Sequence, residues 1–288
     1  MTFENTQSSI MFKRAAIHNI RITTTSESVS DVINEGLVIP KSILEACDIL
    51  PFEQIIVTNI RGKNWDNRVI SFAVPGLEEG VVAARGSLRH FLREGDLICI
   101  ITRSYLDSDH GLKLFEQDKL AIMDLGFEPN SNLHNFSKDA VTRYEYGSKK
   151  QILNAKIDED MLLLRQKMLP RVLLSNLLLD LEIVKTHPDC LQGSAEIPGD
   201  IMQAAKLNRY QGVQVFNASQ GGVAETYAVP MPPGIVMTTG AMANFAPIGT
   251  IAHVASFTMG FAKSMKPRIL KISNNADIMH VDSDGVEL

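Results

Sequence analysis

The chain has 288 residues, 45% of them hydrophobic and 21% charged, with a formal net charge of −5, which predicts a soluble globular protein with room for two ordinary domains. The acidic balance, with a pI near 5.8 and no Lys/Arg block, argues against a nucleic-acid partner. Three cysteines without a CxxC pair argue against a disulfide scaffold and fit a reducing cytoplasm.

Met1 to Ser9 is polar and lacks an apolar core, so no signal peptide is expected there. An alternating stretch carrying His18 comes next. Gly36-Leu37-Val38-Ile39-Pro40 reads as a strand, and Ser42 to Leu50 has helical spacing after the proline. Ile55 to Asn59 and Phe72 to Pro75 read as strands joined by a hairpin that carries Arg68, and Gly80, Gly86 and Gly95 mark turns after the second strand. Tyr105 to Gln166 is charged and less periodic, with helix predicted over 137–166.

Beyond Val172 to Leu179 the same order returns. Ser194-Ala195-Glu196-Ile197-Pro198 leads into helical spacing over Asp200 to Leu207, then Val213 to Asn217, Tyr227 to Pro230, and Gly234, Gly240 and Gly249. Matched positions lie 154–158 apart, so one unit of roughly 95 residues is expected to occur twice. Ala228 to Ala262 lacks Asp, Glu, Lys and Arg, but Pro230, Pro232, Pro233 and Pro247 interrupt it. Buried β structure broken by turns is expected there, not a membrane span. Asp282 to Gly285 reads as a frayed tail. Short strands with brief helices predict small closed barrels. His187 and Cys190 stand three apart without a second pair, so no metal site is read.

The bond between Gly193 and Ser194 carries candidate chemistry. A serine hydroxyl can attack the preceding carbonyl and turn the amide into an ester. β-Elimination then releases the upstream chain, and hydrolysis of the dehydroalanine leaves a pyruvoyl group at position 194. Glycine in front is expected to permit a strained, exposed turn.

The ordered set of motifs resembles the aspartate 1-decarboxylase family, pyruvoyl-dependent enzymes that make β-alanine. Ile49-Leu50-Pro51-Phe52-Glu53 in the first unit carries the resemblance. So do Gly193-Ser194, Asn217, Gly221, Thr226-Tyr227-Ala228 and Thr239-Gly240-Ala241 in the second, and Lys266-Pro267-Arg268-Ile269 with Asn274-Asn275 late in the chain. The resemblance implies a mainly β fold of tandem double-psi β-barrels with short helices and a partly helical connection. Its divisions are a degenerate barrel at 8–105, a connection at 106–166, and a barrel with the processing site at 167–288. It further implies a pyruvoyl formed from Ser194, which condenses with a substrate amine and serves as the electron sink for loss of carbon dioxide.

Carried over residue by residue, Tyr227 falls on the family's proton-donating tyrosine, and Thr226 on a threonine that assists self-cleavage. Thr239 replaces an asparagine that holds the carbonyl oxygen during processing; Gly240 and Ala241 come after it in the substrate site. The arginine that binds the substrate carboxylate falls on Val223 in the second unit and on Arg68 in the first. There Phe72 and Ser71 replace the tyrosine and threonine, and Glu35-Gly36 replaces the cleavage pair. A shared site is therefore expected. The second unit would supply Gly193, Ser194, Thr226 and Tyr227, and the first Arg68 with His18. The family's lysine falls on Ala16, with Lys13 and Arg14 in reach only after a register shift, which cuts against aspartate itself, so the expected substrate is L-aspartate or a close analogue that does without that partner. Expected partners are the small amino acid and a second copy, two chains mimicking the family's tetramer. A maturation factor is a further candidate. The alternative is a catalytically silent paralogue acting as a binding, assembly or regulatory module.

Overall fold

The computed structural model describes residues 9–25, 33–60, 68–107, 123–126, 142–144, 151–153, 169–191, 193–261 and 266–281. The fold is mainly β, two nine-stranded sheets with a few short helices. The first sheet contains β1 (Ser9–Arg21), β2 (Gly36–Pro40), β3 (Gln54–Asn59), β4 (Arg68–Gly76), β5 (Ala83–Arg85) and β6 (Leu97–Asp107). It also takes in β7 (Met123–Gly126), β8 (Thr142–Tyr144) and β9 (Gln151–Leu153). The second contains β10 (Arg171–Glu182), β11 (Lys185–His187), β12 (Ala195–Pro198), β13 (Gly212–Asn217), β14 (Val223–Met231), β15 (Met237–Thr239), β16 (Ile251–Gly260), β17 (Arg268–Ser273) and β18 (Asp277–Val281).

The two sheets repeat one backbone plan. β2 runs parallel to β4 as β12 does to β14, and β1 runs parallel to β7 as β10 does to β17, among otherwise mostly antiparallel pairs. β1 shifts register between Lys13 and Ala15 and between Ile17 and Ile20; β10 does so between Leu174 and Asn176 and between Leu178 and Leu181. Left-handed residues other than glycine are uncommon, yet they recur at matching places: Asn19 and Asp180, Asp48 and Lys206, Phe52 and Tyr210. These coincidences need one backbone, not merely similar composition.

Each unit enters its helix through a proline. Pro40 precedes α1 (Lys41–Ala46) and Pro198 precedes α2 (Gly199–Ala205). Proline presets the dihedral angle and lacks only an N–H that a helix start leaves unpaired. Both helices are shorter than the expected 42–50 and 200–207, because Asp48 and Lys206 turn left-handed and end them. The helix expected over 137–166 is also corrected. Thr142–Tyr144 and Gln151–Leu153 are strands that extend the first sheet, and the rest of that stretch lies outside the described residues. The uncharged 228–262 stretch forms strands and one short helix, α3 (Ala241–Phe245). Among the described residues no helix is long and apolar enough to cross a membrane.

One apolar core lies within each unit, around residues such as Leu37, Ile55 and Val57 in the first and Ile197, Val213 and Val215 in the second. A third joins them, where Phe72 meets Phe216 edge to face at 6.1 Å, beside Phe52, Leu174 and Leu177. Next to it four buried charges close on one another. Arg14 bonds Glu53 through Nε and Nη2 at 2.7–3.1 Å, and Asp48 through Nη1 at 2.8 Å. Arg171, from the second unit, donates to Asp48 Oδ1 at 2.6 Å, to the Asp48 carbonyl at 2.6 Å and to Glu53 Oε2 at 3.0 Å. Burial works to lower the Arg171 pKa, but the attraction of Glu53 and Asp48 outweighs it and holds the guanidinium above its ordinary value. The backbone crosses the same seam, with Leu174 N–H donating to Phe52 O at 2.9 Å.

Candidate active site around the Gly193–Ser194 bond

Ser194 immediately precedes β12, whose residues Ala195 and Ile197 face the core. Side chains alternate along a strand, so Ser194 and Glu196 project together from the other face. There Ser194 Oγ donates to Glu196 Oε1 at 3.3 Å. On the neighbouring strand β14, Ala195 pairs with Ala228, which sets Ser194 beside Tyr227. Ala228 is buried and Tyr227 is 59% exposed, so the phenol stands on the same outer face as the serine.

Three further contacts hold the bond. The Thr226 hydroxyl donates to the Gly193 carbonyl oxygen at 2.8 Å. Ser194 N–H donates to Thr239 Oγ1 at 3.0 Å, and the two hydroxyls are 2.7 Å apart. Thr239 N–H donates back to the Ser194 carbonyl at 3.1 Å. A single proton assignment satisfies the set: Ser194 O–H to Glu196, Thr239 O–H to Ser194 Oγ, Ser194 N–H to Thr239 Oγ1, and Thr226 O–H to Gly193 O. Ser194 is 8% exposed and Thr239 2%, so these bonds form where water competes little.

Two expectations change. The carbonyl oxygen of Gly193 is held by Thr226, not by Thr239, which instead ties the Ser194 nitrogen and hydroxyl together. The strained turn expected at Gly193 is absent: its backbone is not left-handed, and an added Cβ would meet Met242 Cγ at 3.5 Å and Thr239 O at 3.6 Å, ordinary contact. Gly240 is left-handed and precedes Ala241, the first residue of α3.

The first unit places different groups at the matching positions. Gly36 corresponds to Ser194 and is left-handed, and an added Cβ would meet the Phe72 ring at 2.8 Å. The preceding Glu35 is fully buried and accepts from Gly36 N–H at 3.1 Å, Ser87 N–H at 3.0 Å and Ser87 Oγ at 2.9 Å. Desolvation raises its pKa to about 7 against the lowering effect of those bonds. The folded state therefore binds a proton that the unfolded chain has released between the ordinary value of 4.5 and about 7. The associated stability is present below 4.5 and is lost as pH rises through 7. Wild type is expected to lose about 3 kcal/mol relative to Glu35→Gln over that window. Chemical denaturation of both proteins at pH 4.5 and 8 checks this; parallel pH profiles contradict it.

Arg68 heads β4, is exposed, and pairs with Thr58. His18 is half-buried on β1, its Nδ1 3.3 Å from Cys99 Sγ. Neither lines the cavity between the units. That space, about 620 Å3, has Gln54, Arg103 and Tyr105 on one wall and Gln214, Glu225 and Tyr227 on the other. Sequence reasoning missed Glu196, although its place two residues after Ser194 on an alternating strand was a usable signal. It also missed Arg103, for which no local pattern existed. Among the described residues no group of three or more His, Cys, Asp and Glu side chains converges as a metal site.

Comparisons with known proteins match both units of the chain. The aspartate decarboxylase family model matches residues 9–124 and again 174–279. The aspartate 1-decarboxylase of Rhodopirellula baltica is 30% identical over 95 residues, 31% of this chain and 61% of that protein. That of Campylobacter jejuni is 33% identical over 87 residues, 29% of this chain and 69% of that protein. That of Acinetobacter baumannii is 29% identical over 103 residues, 34% of this chain and 82% of that protein.

Proposed function

Because the chain belongs to the aspartate decarboxylase family, we propose that it is a self-processing, pyruvoyl-dependent amino-acid α-decarboxylase acting on L-aspartate or a close analogue. The observation that carries the reading is the Thr226 hydroxyl on the Gly193 carbonyl, with the Ser194 hydroxyl between Thr239 and Glu196.

The first step is an N-to-O acyl shift. Ser194 Oγ attacks the Gly193 carbonyl carbon, and Thr226 stabilises the negative charge that grows on its oxygen. Glu196 accepts the hydroxyl proton as Oγ attacks. The proton that Glu196 accepted passes to the nitrogen as the C–N bond breaks, relayed by the Thr239 hydroxyl, which lies within reach of Ser194 N and Oγ. The product is an ester with a free amine at position 194. Removal of the Ser194 Cα proton then breaks the Cβ–Oγ bond, so Gly193 leaves as a carboxylate and dehydroalanine remains. Water replaces its nitrogen, ammonia departs, and a pyruvoyl caps the downstream chain.

The residues present fit this group: a serine hydroxyl next to the Gly193 carbonyl that the Thr226 hydroxyl polarises, beside an accessible phenol. The pyruvoyl, once formed, supplies a ketone for the substrate amine and an electron sink for decarboxylation. Tyr227 stands on the same face and donates the proton that replaces the lost carboxylate. Two chains, each with two units, assemble to match the family's tetramer. Size-exclusion chromatography with light scattering is expected to give twice the chain mass.

Release of carbon dioxide from L-aspartate by the cleaved protein tests the reading directly. Cleaved protein inactive on L-aspartate and on related amino acids overturns it, while an uncut chain points to a binding or regulatory module. Thr226→Val is expected to slow self-cleavage about 100-fold, the usual cost of one oxyanion donor. Glu196→Gln should slow it about as much. Mass spectrometry after timed incubation of freshly made protein measures both, and equal rates would exclude these roles.

A further inference from the structure

The self-cleavage steps leave the cavity between the units unused. Its first-unit wall carries Arg103, on β6. Nη2 donates to Gln54 Oε1 at 3.2 Å, and Nη1 meets only the Met11 thioether, a weak acceptor, at 3.4 Å. Among the described residues no carboxylate forms an ion pair with it. A guanidinium has five donors in a planar fork suited to a carboxylate, so most of its capacity is open to a ligand.

The opposite wall has the complementary need. Gln214 is 5% exposed, and its Nε2 donates to Glu225 Oε1 at 2.9 Å. Gln214 Oε1 is buried without a hydrogen-bond partner. That oxygen is closed off from the cavity, so the acceptor this wall offers a ligand is the Glu225 carboxylate. Glu225 beside it adds a negative charge. A cation thus faces a carboxylate across a space of about 620 Å3, within the size range of small-molecule sites.

We propose that this cavity binds a small amino-carboxylic acid, with its carboxylate on Arg103 and its ammonium at Glu225. The ammonium end lies on the wall that carries Tyr227, beside Ser194 on the same outer face. The amine is therefore held near the processed residue. Arg103 takes the part that the family resemblance assigned to Arg68. The inference rests on the decarboxylase reading only in calling this ligand a substrate, because the cavity exists in the uncut chain.

The test is calorimetric titration of L-aspartate into full-length Ser194→Ala protein, which cannot form the pyruvoyl. Binding of one L-aspartate per chain is expected, with succinate, which lacks the amine, weaker. Arg103→Met in that background should weaken L-aspartate binding about tenfold or more, as for loss of a charged hydrogen bond, and Arg103→Lys should restore part of it. Glu225→Gln should erase the preference for L-aspartate over succinate. Thermal melts confirm that each variant is folded. Failure of L-aspartate to bind, or binding that survives Arg103→Met and disappears with Arg68→Met, overturns the proposal. An uncut wild-type chain would remove the decarboxylase reading and leave this result standing.

Discussion

Ser194→Ala protein is expected to remain one 31.8 kDa chain under conditions in which wild type divides between Gly193 and Ser194. Wild type should yield pieces of about two thirds and one third of the chain, the smaller blocked at its N-terminus and reactive towards hydrazine. The substitution removes the oxygen that attacks and leaves the rest of the bond intact. Alanine shares the Cβ, the Thr226 bond to Gly193 O uses only backbone on that side, and Thr239 still accepts from N–H 194. The variant keeps the geometry and loses the nucleophile, so its cleavage should fall to the background of an ordinary peptide bond, on the order of a million-fold or more. Intact mass under denaturing conditions reads the result. A wild-type chain uncut both as purified and as isolated from its host would end the pyruvoyl reading.

Glu53→Ala is expected to produce the largest loss of stability, about 3–5 kcal/mol. Glu53 is fully buried and balances two buried arginines, one from each unit. Its Oε2 also accepts from Leu50 N–H at 3.0 Å and so closes the turn before β3. With the carboxylate gone, Asp48 alone faces both guanidiniums, and desolvation of the uncompensated charge outweighs the lost side-chain volume. The damage falls at the seam between the units, where Arg171 enters, so the variant should unfold at lower urea and lose the single cooperative transition. Arg14→Met in the Glu53→Ala background restores charge balance and should recover part of the loss. If Glu53→Ala melts like wild type, the four-charge cluster does not hold the units together.

Much of the fold was legible because it depends on local chemistry repeated twice. Proline before a short helix, alternating apolar runs and glycine at turns are near-neighbour signals, and their recurrence at a fixed spacing exposed the duplication. Gly193-Ser194 and Thr226-Tyr227 were legible for the same reason, since each pair is contiguous. The helix expected over 137–166 failed where strand pairing prevailed: at 142–144 and 151–153 the backbone bonds go to a sheet edge that no local window contains. Arg171 showed nothing of its role, because a buried arginine is identified by carboxylates more than a hundred positions away.

The duplicated mainly β chain, the loss of a cleavable serine at Gly36 and its retention at Ser194 can all be read from the residues in order. These depend on residue identity and spacing alone. The folded register alone sets which group holds which atom: Thr226 on the Gly193 carbonyl, Thr239 on the Ser194 nitrogen, Glu196 on the hydroxyl. It also decided that Arg103, not Arg68, lines the space facing Tyr227. Hydrogen bonds act over about 3 Å, and strands far apart in the chain come that close only through the register of a folded sheet.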